Sequence, residues 1–177
     1  MTSTERVDPP LAGDELAILT GFLDYHRDTL RLKTEGLDGA QLAATLPPSD
    51  LTLGGMLKHL AFVEHWWFTC VFLGREYSEP WASVDWKGDA DWDWHSAVHD
   101  SPAQLRAMLD AEIAVSDGVV ADVLAQGRGL DTPSERVGRT GDRFSLRWIM
   151  VHMIEEYARH NGHADLLRQS IDGSTGD

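Results

Sequence analysis

Met150-Val-His-Met-Ile-Glu-Glu-Tyr-Ala-Arg-His-Asn-Gly-His-Ala-Asp-Leu-Leu167 gives the clearest view of how this chain is built. At about 100° per residue it is an amphipathic helix, with Met150, Met153, Ile154, Tyr157 and Leu167 on or beside one side. Glu156, His160 and His163 fall at i, i+4 and i+7 on that same side, so a carboxylate and two imidazoles stack on successive turns within reach of one point. Polar groups facing inward cost roughly 2–7 kcal/mol each if left without partners. A bound metal ion or a tight hydrogen-bond network removes that cost, and Glu-x3-His-x2-His on an apolar-flanked helix favours the metal more than a lone core histidine would.

Ser145 is placed to cap this helix, which should run to about Gln169. Upstream, Ser101-Pro-Ala-Gln104 combines an N-cap Ser, a Pro at the first helical position and a Gln at N3, opening a helix to about Gln126. Thr52 caps a strongly apolar helix carrying Leu53, Met56, Leu57, Leu60, Val63, Trp67, Cys70 and Val71, which ends before Gly74 and should be the innermost element. Leu16, Leu19, Phe22, Leu23, His26 and Leu30 give the period of a first helix from Asp14 to about Glu35, with Gly36 as its stop. Four long helices with almost no strand signal predict an all-α four-helix bundle.

Two connections are long. Residues 74–100 hold Trp81, Trp86, Trp92 and Trp94 among several aspartates, and a segment of this kind either covers a site or staples an irregular crossover onto the helices. Residues 127–144 are rich in Gly, Arg and Asp, and 136–143 could form a short hairpin. Residues 1–13 read as a flexible N-terminal arm, 14–170 as one bundle domain and 171–177 as a frayed tail.

The chain has 177 residues, a net charge of −14 and one cysteine, Cys70. An excess of negative charge with no basic run argues against nucleic-acid binding and against docking on lipid headgroups. A single cysteine excludes an internal disulfide, and the absence of a signal-peptide core or an 18-residue apolar run predicts a cytoplasmic protein that does not enter a membrane. The sequence holds no Gly-x-Ser-x-Gly, no phosphate-cradling Gly-rich loop and no His-Glu-x-x-His.

One helix cannot surround an ion, so a further ligand must come from elsewhere. His59 is the best candidate, beside Met56, Leu60 and Val63 near the stripe of the innermost helix. His65 lies toward a different side and reads as structural. His26 could support the site from the first helix, and His95 and His99 belong to the Trp-rich crossover. Two imidazoles, one carboxylate and an open position make the ligand set of catalytic zinc, and suit nickel or iron equally by donor type.

The pairing of Gly-Gly-Met-Leu-Lys-His59-Leu with Glu156-Tyr-Ala-Arg-His160-Asn-Gly-His163 resembles the DinB/YfiT-like superfamily over nearly the whole chain, including its helix count and both long crossings. The resemblance implies a four-helix bundle, often dimeric, holding a divalent metal with His59, Glu156 and His160. Many members carry His at the position of Glu156, whereas the mycothiol-dependent maleylpyruvate isomerases of the superfamily also use Glu. His163 stands where relatives carry Gln or Asn, either supporting a ligand from behind or serving as an alternative ligand. The length leaves no room for the isomerases' additional C-terminal domain, so a different activity is expected. Characterised enzymes of the superfamily move mycothiol or bacillithiol onto electrophiles, which implies a thiol S-transferase using mycothiol and acting on a small molecule. The alternatives are a non-catalytic, stress-related metal- or ligand-binding protein, or a metal-dependent hydrolase with Glu155 or another nearby carboxylate as base. Arg147, Arg159 or the arginines of 136–143 could hold an acidic group of cofactor or substrate, and a homodimer is expected from the superfamily and the excess of tryptophan.

Overall fold

The computed structural model describes residues 6–175. Four long helices dominate: α1 (Glu15–Thr34), α3 (Leu53–Glu64), α5 (Pro102–Ala125) and α6 (Leu146–Asp172), with the short helices α2 (Gly39–Leu42) and α4 (Trp92–His95) in the connections. α1 packs along α6 and α3 along α5, and α3 also meets α6, so the chain closes into a helical bundle. The all-α architecture expected from the sequence is the one observed, apart from a two-stranded hairpin.

Local chemistry sets the boundaries. The side chains of Asp14, Thr52, Ser101 and Ser145 each accept a backbone N–H at the start of a long helix, and Ser101 with Gln104 completes the reciprocal capping box. α6 runs three residues past Gln169, to Asp172, because Gly173 takes the left-handed conformation (φ 78°) that closes it and Arg168 pairs with Asp172 on its last turn. Ile171 and Asp172 of the expected tail are therefore helical, while 176–177 lie outside the described residues.

Beyond Glu64 the third helix continues as a wider π-helical stretch, His65–Phe72, closed by the N–H of Leu73 donating to the carbonyl of Phe68. Over α3 and this stretch Leu53, Met56, Leu57, Leu60 and Phe68 are fully buried, which makes the segment the centre of the core as its composition predicted. Burying one such side chain contributes about 1.5–3 kcal/mol.

A charged group also crosses the core. Arg27 of α1, 1% exposed, donates from Nε and Nη2 to the two oxygens of fully buried Glu64, at 2.8 and 3.0 Å, and the phenol of buried Tyr157 donates to Glu64 Oε1 at 3.0 Å. Burial, and after it the neighbouring Glu64 charge, hold the Tyr157 phenol well above its ordinary value, so it stays a donor. This network ties α1, α3 and α6 together.

The hairpin pairs β1 (Pro133–Val137) with β2 (Arg143–Ser145), starting three residues earlier than 136. Fully buried Ser134 explains the earlier start: its Oγ donates to the Arg136 carbonyl and accepts from the Phe144 N–H. Of the N-terminal arm, 1–5 lie outside the described residues. Arg6 sits over the Tyr25 ring and donates to Thr29, and Pro9-Pro10 crosses α1 at Gly21, where a Cβ would come within 2.6 Å of Pro10. No helix among the described residues is long and apolar enough to cross a membrane.

Candidate metal centre

α3 and α6 bring His59, Glu156 and His160 together. One donor atom from each can be chosen so that all lie within 4.8 Å of one another. His160 Nε2 stands 3.6 Å from Glu156 Oε2, too far for a hydrogen bond. Two ligand atoms of a tetrahedral zinc, each about 2.0–2.2 Å from the ion, stand roughly 3.3–3.6 Å apart, so this spacing fits two donors sharing one cation. The side chains of His59, Glu156 and His160 are 20%, 19% and 10% exposed, leaving the group sheltered yet reachable.

The crossover supplies two residues that sequence reasoning does not place at the site. Asp93 in α4, 3% exposed, holds His59 Nδ1 through Oδ2 at 2.7 Å. That contact makes Nδ1 the protonated nitrogen and leaves the Nε2 lone pair of His59 free. A carboxylate behind a histidine is the usual outer support of a metal ligand, fixing tautomer and ring orientation and raising basicity. Trp94 then stacks on the His59 imidazole, with centroids 4.6 Å apart and planes at 26°, and lies 5.4 Å from the His160 ring. Gly55 permits this approach, because a Cβ there would stand 2.7 Å from Trp94 Cε3. The other tryptophans staple the crossover: Trp81 is fully buried and donates to Glu112, Trp86 donates to the Trp81 carbonyl, and Trp92 lies under Lys58 Nζ.

His160 is the candidate donor best prepared by its surroundings. Burial, reinforced by the nearby His59, His163 and Arg159, pushes its pKa down to about 4, so the imidazole is neutral near pH 7 with a lone pair to give. Its Nδ1 is buried with no hydrogen-bond partner among the described residues, as is Nδ1 of His163, whose ring lies 5.5 Å from that of His160. His163 thus sits beside the cluster, outside the three-residue group.

His152 escapes the sequence reading although it continues the same row, four residues before Glu156. Its Nε2 lies 3.6 Å from Glu156 Oε1 and its Nδ1 3.3 Å from Glu155, and its ring is stacked on Trp148 and edge-on to Trp67. Glu156 therefore turns one oxygen to His160 and the other to His152.

The remaining candidates are placed elsewhere. His65 is buried against Glu112 and the Ser78 N–H, away from the cluster. His26 meets Asn161, whose Nδ2 donates to the His26 carbonyl at 2.9 Å, and so touches the chain next to His160 without entering the cluster. His95 pairs with Asp89. Arg147 pairs with Glu15 and Asp131, Arg159 with Glu155, Arg136 with Glu76 and Arg143 with Glu135, so each of these arginines is already engaged by an acid. Burial pushes the Cys70 thiol up to about 11, which suits packing and not nucleophilic attack.

A family model described as Mycothiol-S-transferase matches residues 18–173. No curated protein matches the chain.

Proposed function

Since the chain belongs to the mycothiol-S-transferase family, we propose that it joins the sulfur of mycothiol to a small electrophile at a divalent-metal centre held by His59, Glu156 and His160. The observation that carries this reading is the convergence of three metal-ligating donors from two helices within 4.8 Å, in a group still partly open to solvent. A Lewis-acidic ion held there would favour thiolate over thiol at neutral pH. The donor set favours zinc, with nickel or iron of suitable ligand type.

The chain's own residues set up that chemistry. Asp93 fixes the His59 tautomer, Trp94 stacks on the His59 ring and holds its plane, and burial keeps His160 unprotonated. Glu156 offsets one unit of the cation's charge. In the transfer a sulfur–carbon bond forms while the electrophile's leaving group departs with the bonding pair, and the thiol proton passes to solvent. Glu155, one candidate base for the hydrolase reading, is half-exposed and engaged by Arg159 at 2.8 Å, which leaves that reading to another nearby carboxylate. Exposed Trp148, Val151 and Val137 offer apolar surface for the homodimer that the reading includes.

Zinc-reconstituted protein should accelerate conjugation of mycothiol to monochlorobimane, with a rate that rises through an apparent pKa below the free thiol's value of about 8.5. His160→Ala should abolish the acceleration while preserving helix content. A metal-loaded protein that leaves the rate of mycothiol, cysteine and other small thiols unchanged would overturn the transferase reading in favour of a non-catalytic metal- or ligand-binding protein.

A further inference from the structure

A cavity of about 540 Å³, open on one side, lies on the crossover side of Trp94, lined by α2, residues 50–52, the start of α3, residues 91–100 and Leu105 of α5. That volume is within the range of small-molecule sites, roughly 300–1,000 Å³. None of His59, Glu156 and His160 lines it, so its binding chemistry does not rest on the transferase reading.

The lining has a definite chemistry. Leu42, Leu51, Ala97 and Leu105 make an apolar body, whereas the carboxylates are Asp50, Asp91 and Asp100, with no Lys or Arg among the lining residues. Asp100 is paired with Lys58 Nζ at 2.6 Å, and His95 at the rim is paired with Asp89. Asp50 and Asp91 are exposed and have no ion-pair partner within 4 Å among the described residues; His95, paired with Asp89, also feels both charges, so the lining as a whole stays negative. A carboxylate-bearing ligand would be repelled there, while an ammonium group would be attracted by the acids.

We propose that this cavity binds a small amine, with an apolar body against Leu42, Leu51 and Leu105 and a cationic head facing Asp50 and Asp91. Its occupant would touch Trp94, whose ring stacks on His59 and whose neighbour Asp93 holds His59 Nδ1. Binding in the cavity is thereby linked to the orientation of one metal-site histidine through two consecutive residues of α4.

The test uses metal-free protein and matched probes, 4-phenylbutylamine, 4-phenylbutanol and 4-phenylbutyrate, followed by calorimetry and by the indole N–H resonance of Trp94. The amine should bind at least about tenfold more tightly than the acid and shift the Trp94 resonance. Asp50→Asn with Asp91→Asn should bring amine and acid to within about threefold of each other. Val98 lines the cavity and is 65% exposed, so Val98→Trp can fill the mouth without disturbing the core, and should abolish binding of all three probes. Equal affinity for amine and acid, a preference that survives loss of both aspartates, binding unaffected by Val98→Trp, or no binding of the amine at millimolar concentration would each overturn the proposal. All of these outcomes are independent of whether thiol transfer occurs, because neither metal nor thiol is present.

Discussion

Replacing Asp93 separates the charge behind His59 from the hydrogen bond it makes. Asp93 Oδ2 lies 2.7 Å from His59 Nδ1 and the residue is 3% exposed, so no water can take its place without rearrangement. A hydrogen bond to a charged group contributes about 1.5–3 kcal/mol. Loss of an outer partner behind a metal-ligating histidine typically costs about 10–100-fold in metal affinity, or roughly 1.4–2.7 kcal/mol, so two independent routes arrive at the same size. Asp93→Asn keeps a carbonyl that can accept the Nδ1–H but removes the charge, and should weaken zinc binding about tenfold. Asp93→Ala removes both and frees the tautomer, and should weaken it by about 100-fold. Competition with a chromophoric chelator at fixed pH measures both, with circular dichroism as a check on folding. A folded Asp93→Ala protein binding zinc within about twofold of the unmodified protein would refute the role given to this carboxylate.

Other consequences reach beyond that residue. Arg27→Ala strands Glu64 as a buried, uncompensated charge and should cost about 3–5 kcal/mol in urea unfolding, where less than about 1 kcal/mol would show that the network does not brace the three helices. In metal-free protein the unfolded chain takes up a proton at His160 below pH 6.5 that the folded protein refuses until about 4, so this residue's contribution is intact above 6.5 and is lost by about 3 kcal/mol as pH falls to 4. His160→Gln should flatten the stability curve over that window, and identical curves for the two proteins would contradict the burial argument. Gly55→Ala places a Cβ 2.7 Å from Trp94 Cε3, so it should push the indole off His59, shift the Trp94 resonance and lower stability by about 1–3 kcal/mol.

Much of this arrangement is legible in the amino-acid sequence, for reasons that differ by element. α5 and α6 announce their starts through Ser101 and Ser145, whose side chains do locally what the helix end requires, and the row Glu156, His160, His163 follows from helical period alone. Period also contains His152, since it lies one further turn back, but its meaning depends on Trp67 and Trp148 closing around it, contacts made across the bundle. Asp93 and Trp94 carry no such signal. They arrive from an irregular crossover whose path is set by Trp81 and Trp86 packing onto α3 and α5, so no local spacing ties them to His59. The π-helical stretch is hidden for a related reason, because its residues satisfy the apolar pattern of an ordinary helix and its wider backbone bonding, closed by the Leu73 to Phe68 bond, leaves no mark in that pattern. Arg27 carries no local signal of its burial, because Glu64 and Tyr157 come to its network from two other helices.

If His59, Glu156 and His160 hold an ion with a position open to a thiol, cobalt-substituted protein will report on it without an assumed substrate. One equivalent of cobalt per chain should bind, and titration with mycothiol should change the visible absorption spectrum with one-to-one stoichiometry, whereas His160→Ala should abolish both the bound cobalt and the response. Full cobalt occupancy with a spectrum unmoved by mycothiol, cysteine or any other small thiol would contradict a thiol-activating metal centre.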